Sequence, residues 1–356
     1  MIYTTKIFHP KKLLPIFQRV CGQKGGNLKE FLVVNFGNQR SSKWHFESRT
    51  LILEVPPSVG RFELQQKTMK NILLHLRIPF SLFLMPVFWF AVSQTKNPDW
   101  GVVGGLFVLL HLLIYPASNA YNSYFDKDEG SIGGLENPPP VSKELYYVSW
   151  ILDIVAIVAA YFISGWILSI ALIIYSSVSK AYSNDKIRLK KYPILSWLTV
   201  GIFQGAFTYL TVIQAIDKLD LSELWQSKYL LPAALSSLNL LGFYPMTQIY
   251  QHEEDARRGD LTMSRLLGIK GTFMFTASIF FFVTIGFYFY FQNTQLFHIQ
   301  AFIIYLLVMS PVLIYFNSWF LKVLKNENQA DFHHTMRLNM LGSVCLNVFF
   351  LLLLMR

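Results

Sequence analysis

Three short stretches concentrate the residue types that do chemistry. In the first, NAYNSYFDKDEG at 119–130, Asn122 and Asp126 are four residues apart, so a helix continuing through them puts both on one face, with Asp128 and Glu129 close by. Oxygen ligands of this kind suit Mg²⁺, which keeps part of its water shell and bridges to phosphate. The same stretch also reads as a solvated, capped helix end with no ligand. In the second, YSNDKIRLKKYP at 182–193, Lys186, Arg188, Lys190 and Lys191 carry enough positive charge to neutralise a diphosphate, and Tyr182, Ser183 and Asn184 add hydrogen-bond donors. Arginine offers a planar fork to phosphate oxygens and lysine a point charge, although anionic lipid head groups would account for a basic loop as well. In the third, QIYQHEEDARRGDLTMSRLLG at 248–268, a continuing helix pairs Gln251 with Asp255 and Gln248 with His252. Glu253, Glu254 and Asp255 there precede Arg257 and Arg258, and Gly259 reads as a break before a new helix capped near Thr262. Carboxylates packed this tightly repel one another unless a cation stabilises them.

Together the stretches describe two acidic helix ends and one basic loop, able to hold Mg²⁺ and a diphosphate above an apolar cavity. An isoprenoid diphosphate divides in the same way, into an anionic head and a long hydrocarbon tail.

The elements that must position these residues are apolar. Hydrophobic residues make up 53% of the 356 and charged residues only 15%, whereas soluble domains carry roughly 25% charge. Apolar runs recur at 74–94, 101–121, 146–164, 165–180, 196–216, 229–249, 271–292, 298–319 and 337–355. Most approach the ~20 residues needed to cross about 30 Å of hydrocarbon. The expected fold is an all-α integral membrane protein with about nine transmembrane helices around a central cavity. Pro79, Pro86, Pro116, Pro232 and Pro245 do not break these runs, because neighbouring helices in a bundle satisfy freed backbone groups.

Nine spans place the loops after the even-numbered spans on one side. Those loops hold Lys127 and Lys143, the 180–191 basic cluster, Arg257, Arg258, Arg265 and Lys270, and Lys322, Lys325 and Arg337, against Lys96, Lys218 and Lys228 opposite. The positive-inside rule puts the motif loops in the cytoplasm, with the protein in the cytoplasmic (inner) membrane. It also explains the net charge of +10 without nucleic acid, which is not an expected partner; membrane lipids are.

Residues 1–70 differ from the rest, with Gly-Asn-Gln-Ser stretches, many Lys and Arg, and no run long enough to span. They are expected to be a basic polar leader, either a flexible or interfacial arm or sequence preceding a biological start at Met69, with the transmembrane domain at 71–356. Cys21 and Cys345 lie too far apart in character, polar leader and apolar run, to suggest a disulfide framework or thiolate metal site. Asp153, within a span, reads as a packing residue rather than a proton relay.

From about residue 70 to 355 the sequence resembles the UbiA superfamily of intramembrane prenyltransferases. The carriers are Asn122-Ser-Tyr-Phe-Asp126, similar to the family's Asn-Asp-x-x-Asp opening; Tyr182-Ser-Asn-Asp-Lys-Ile-Arg-Leu-Lys190, similar to its Tyr-Ser…Leu-Lys loop; and Glu254-Asp-Ala-Arg-Arg-Gly-Asp-Leu-Thr262 with Leu267-Gly268, similar to its second Asp-rich motif. There are departures: Ser123 stands where the family usually has Asp, Gly130 where it has a later acid, Gln251 where its second motif begins with Asp, and LENPPPVSK replaces an arginine-rich stretch. The resemblance implies Mg²⁺-dependent transfer of a prenyl group from a polyprenyl diphosphate to a lipophilic, aromatic, quinone-precursor acceptor. It implies Asn122, Asp126, Asp128, Glu254 and Asp255 as metal-facing residues, Lys186, Arg188, Lys190 and Arg257 at the diphosphate, and Asp126, Asp255 and Tyr182 as catalytic. The missing acids keep open a noncatalytic lipid-binding protein or a transporter. His252 is read either as an acid or base or as a helix-end residue bonded to backbone.

Overall fold

The computed structural model describes residues 57–293 and 299–355, with side chains described from residue 65. The leader before residue 57 lies outside the described residues. Contacts divide the chain into Met1–Gln65 and Gln66–Arg356, and the helical bundle belongs to the second unit.

Among the described residues the regular elements are helices, apart from one isolated bridge between Ile132 and Leu135. The long elements are α1 (Pro57–Leu76), α2 (Met85–Val92), α3 (Trp100–Phe107), α4 (Tyr115–Asp126), α5 (Glu144–Ser164), α6 (Trp166–Ser183), α7 (Pro193–Gly201), α8 (Thr208–Asp217), α9 (Ser227–Gln248), α10 (His252–Arg258), α11 (Met263–Asn293), α12 (Ile299–Lys325) and α13 (Phe332–Leu354). A 3₁₀ turn at Ile78–Leu84 joins α1 to α2, and π-helical segments at Val108–Ile114 and Ile202–Phe207 join α3 to α4 and α7 to α8. Eight of the resulting helical stacks are long and apolar enough to cross a membrane. The ninth, α9, has 22 residues and is long enough, but it falls short in apolarity because its buried surface carries Ser236, Ser237, Asn239 and Gln248.

The distribution of side chains is that of a protein in lipid. Helix α5 buries Ser149, Asp153, Ala156 and Ala160, while Ile151, Ile154, Val158 and Phe162 are exposed. A helix that hides its polar face and shows its apolar one has hydrocarbon outside. Asp153 turns inward to Lys180 on α6 and accepts a hydrogen bond from Ser176, so the carboxylate assigned to packing has a buried cationic partner. Lys180 is therefore inside the bundle rather than in the basic loop, its ammonium lying over the rings of Tyr121 and Trp150.

The irregular turns have local causes. Pro116 lacks an N–H and its ring would meet the carbonyl four residues back, and the wider π turn before it relieves both problems. In the second π segment the N–H of Ala206 donates to Ser237 Oγ on α9 at 2.9 Å. The segment lies so close to α9 that a Cβ on Gly205 would come within 2.5 Å of Ser237 Cα and 2.7 Å of its nitrogen. Backbone cannot move aside as a side-chain tip can, so Gly205→Ala is expected to destabilise the protein by about 1–3 kcal/mol, read as a lowered melting temperature in detergent.

Candidate active site

The three polar stretches meet at one end of the bundle. Helix α4 carries Asn122 and Asp126 on one face, as their spacing requires, and Asn122 Nδ2 donates to Asp126 Oδ2 at 2.7 Å and to Ser183 Oγ of α6 at 3.0 Å. Lys127, at φ 49°, ends α4 in the left-handed conformation and turns the chain toward Asp128. After α6, Arg188 (φ 46°) makes a similar left-handed turn into the 3₁₀ turn that holds Lys190. The third stretch is not one continuous helix. Helix α9 ends at Gln248 and α10 begins at His252, so Gln248 and His252 are not related by a helical turn. Gly259 (φ 73°) closes α10, and the next helix begins at Met263.

Asp126 is the centre of the charge network. It is 4% exposed, with Lys190 Nζ at 2.5 Å, Arg258 at 3.7 Å and Arg188 at 3.9 Å from Oδ1. Lys190 is the nearest of the three and pairs directly with Oδ1. Behind this centre, Arg188 reaches Asp260 through two parallel hydrogen bonds of 2.9 and 2.8 Å, and Asp260 is almost fully buried. Burial, with the charge of Asp126 adding to it, pushes the Asp128 carboxyl up to about 6; burial pushes Asp255 to about 6 as well, despite a hydrogen bond from Thr262.

Asn122, Asp126, Asp128, Tyr182, Lys190 and Asp255 line one polar cavity of about 220 Å³. Among the described residues no three Asp, Glu, His or Cys side chains converge as a ready-made metal cage. The donor set nevertheless fits Mg²⁺, which takes few protein oxygens and retains water. Asp126, Asp128 and Asp255 bring carboxylate oxygens to one cavity, and two of these carboxyls are held above their ordinary range where a divalent ion would relieve the desolvation and repulsion.

Other expected residues have different partners. Glu254 accepts hydrogen bonds from the backbone N–H groups of Glu129 (3.0 Å) and Gly130 (3.1 Å), tying α10 to the loop after α4. Lys186 and Arg257 are exposed and outside the cavity lining, and Arg188 is engaged with Asp260. His252 bonds the Ser264 hydroxyl at 2.7 Å rather than backbone, and burial lowers its pKa. The Glu254 contact gives a direct test: Glu254→Ala is expected to loosen the 127–143 loop by about 1–3 kcal/mol, seen as faster limited proteolysis there with the bundle intact.

Sequence reasoning missed Asp260, the role of Arg258, and above all Arg77. Arg77 is buried at the mouth, donates to the carbonyls of Gly133 and Asn119 and to Asn122 Oδ1 at 3.3–3.5 Å, and has no partner at Nε. No carboxylate pairs with it among the described residues, and its φ of 47° places it in a strained left-handed conformation. The available signal was an arginine inside an apolar run, which by itself marks a functional position.

Against the polar cavity lies an apolar chamber of about 200 Å³, walled by groups such as Phe83, Val87, Leu240, Phe243, Leu346 and Phe350. Phe80, Ser118, Asn119, Gln204, Tyr244 and Thr247 line both spaces, so the charged mouth and the hydrocarbon-like chamber share a rim. Tyr182 and Tyr244 bond through their hydroxyls at this rim. Gln204 sits in the second π segment, whose wider turn presents it to both spaces.

Comparison with solved structures shows the same architecture. A UbiA homologue from Archaeoglobus fulgidus bound to DMAPP and Mg²⁺ superposes with a TM-score of 0.57 at 15% identity, covering 80% of this chain and 99% of that one. A digeranylgeranylglyceryl phosphate synthase gives 0.52 at 17% identity, with 82% and 100% covered. The apo UbiA homologue from Aeropyrum pernix K1 gives 0.57 at 14%, with 77% and 98% covered. No curated protein matches by sequence. The profile of the UbiA prenyltransferase family matches residues 83–341, well over half of the sequence and all three motif stretches, and this chain belongs to that family.

Proposed function

We propose that this protein transfers a prenyl group from a polyprenyl diphosphate to a lipophilic aromatic acceptor of the quinone-precursor type, with Mg²⁺ as cofactor. The observation that carries the reading is the shared rim between a charged mouth and an apolar chamber, which matches the two halves of a prenyl diphosphate. Homologues of the same architecture bound to GPP or DMAPP with Mg²⁺ support the choice of donor.

Asn122, Asp126, Asp128 and Asp255 are the residues that would hold Mg²⁺, with Glu254 acting instead on the loop. Mg²⁺, when bound, supplies positive charge against the negative charge that grows on the departing diphosphate. Lys190 and Arg77 face the same cavity and stabilise that charge more in the transition state than in the ground state. Arg188 acts by holding the basic loop through Asp260, and Tyr182 orients the substrate at the rim through its bond to Tyr244. The chamber walls keep water from the allylic carbon as it becomes cation-like, so that an electron-rich acceptor atom attacks instead. The basic loops place the mouth on the cytoplasmic side. Residues 71–356 constitute the prenyltransferase domain and 1–70 a basic leader.

The test is incubation of purified protein with labelled geranyl and longer prenyl diphosphates and a panel of aromatic acceptors, in Mg²⁺ or in EDTA. Prenylated product and diphosphate release in Mg²⁺ alone are expected. Failure to release diphosphate at every chain length would sink the proposal.

A further inference from the structure

We infer that Asn239 and Asn339 form the acceptor-recognition subsite on one wall of the chamber, beside the reacting end of the prenyl chain, and that it selects a neutral acceptor carrying hydroxyl or carbonyl oxygens over a carboxylated one. The inference rests on the prenyl-transfer reading and concerns the other substrate. Asn239 on α9 and Asn339 on α13 both line the chamber and are 7% and 6% exposed. Asn239 Nδ2 donates to the Leu235 carbonyl at 3.2 Å, which fixes the orientation of the amide because that oxygen can only accept. Asn239 Oδ1 is left without a donor, and Asn339 Nδ2 is left without an acceptor. Buried polar groups of this kind are almost always satisfied, and each unpaired atom carries a desolvation penalty. Two amides with unspent hydrogen-bonding capacity, from two helices around one chamber, are what a polar ligand would complete.

The remaining lining defines the ligand's charge. Among the described residues that wall the chamber there is no Lys, Arg, His, Asp or Glu. A carboxylate placed there would lose its hydration with no cation to replace it, and it has no proton to give Asn239 Oδ1. A phenolic hydroxyl donates to Asn239, and a hydroxyl or carbonyl group pairs with the Asn339 amide, whose unbonded side chain can turn to meet either, while the ring packs against Phe243 and Phe350. The cationic groups that could hold an anion, Arg77 and Lys190, line the mouth instead and belong to the diphosphate.

Equilibrium binding of 1-naphthol and 1-naphthoate to the full chain in nanodiscs, at pH 7 and corrected for empty discs, tests this. Wild type is expected to bind 1-naphthol at least tenfold more tightly than 1-naphthoate. Asn239→Leu and Asn339→Leu, close in volume, are expected to weaken 1-naphthol by about three- to tenfold each with thermal melting near that of wild type. If a leucine variant does not fold, Asn239→Ala or Asn339→Ala gives the same comparison. Equal affinity for the two probes, no 1-naphthol binding, or unchanged 1-naphthol affinity in both variants overturns the inference. Binding of geranyl diphosphate to wild type is measured in parallel: its absence counts against the prenyl-transfer reading, while the naphthol series still reports on the subsite.

Discussion

Asp126→Asn is expected to lower kcat/KM for prenyl transfer by about 10³-fold or more, with the bundle still folded. The substitution keeps the volume and the hydrogen bond with Asn122 but removes the charge on which Lys190, Arg188 and Arg258 converge. It also removes one of the three carboxylates that line the cavity. Asp255→Asn should have a comparable effect on Mg²⁺-dependent turnover, because Asp255 faces the same cavity from α10. Diphosphate release at saturating Mg²⁺, set beside thermal melting, separates lost chemistry from lost fold. Full activity in both variants would rule out the metal site assigned here.

Arg77→Leu is expected to raise KM for the prenyl diphosphate by about 10- to 100-fold while leaving the ligand-free protein equally stable or more stable. Both effects have one cause. A guanidinium buried without a paired carboxylate costs desolvation energy that Asp126 and Asp128 nearby offset only in part, and an arriving anion offsets more of it. Carbonyl oxygens of Gly133 and Asn119 solvate the group in part, and its positive φ adds strain of about 1–3 kcal/mol. Arg77→Lys should recover little, because an ammonium cannot reproduce the planar fork that engages two phosphate oxygens. The measurements are substrate titration of turnover and melting temperature with and without geranyl diphosphate. A variant that lost stability but kept its KM would show Arg77 to be structural.

The spans, the pairing of Asn122 with Asp126, the break at Gly259 and the gathering of charge near one set of helix ends were all legible in the sequence. Each depends on local rules: the length needed to cross hydrocarbon, the helical repeat, and the backbone freedom of glycine. What was not legible depended on which helices are neighbours. Lys180 looks like a loop cation until α5 brings Asp153 to it, and Arg188 looks like a phosphate ligand until Asp260 occupies both arms of its fork. Glu254 looks like a metal ligand until two backbone N–H groups from the loop after α4 take its oxygens. The chamber is the clearest case, since Asn239 and Asn339 stand one hundred residues apart and nothing near either announces a common cavity. Local sequence determined what each segment was and which end carried charge. Only the packing of nonlocal helices decided which charges cancel one another and which polar groups are left for a ligand, because desolvation depends on every neighbour at once.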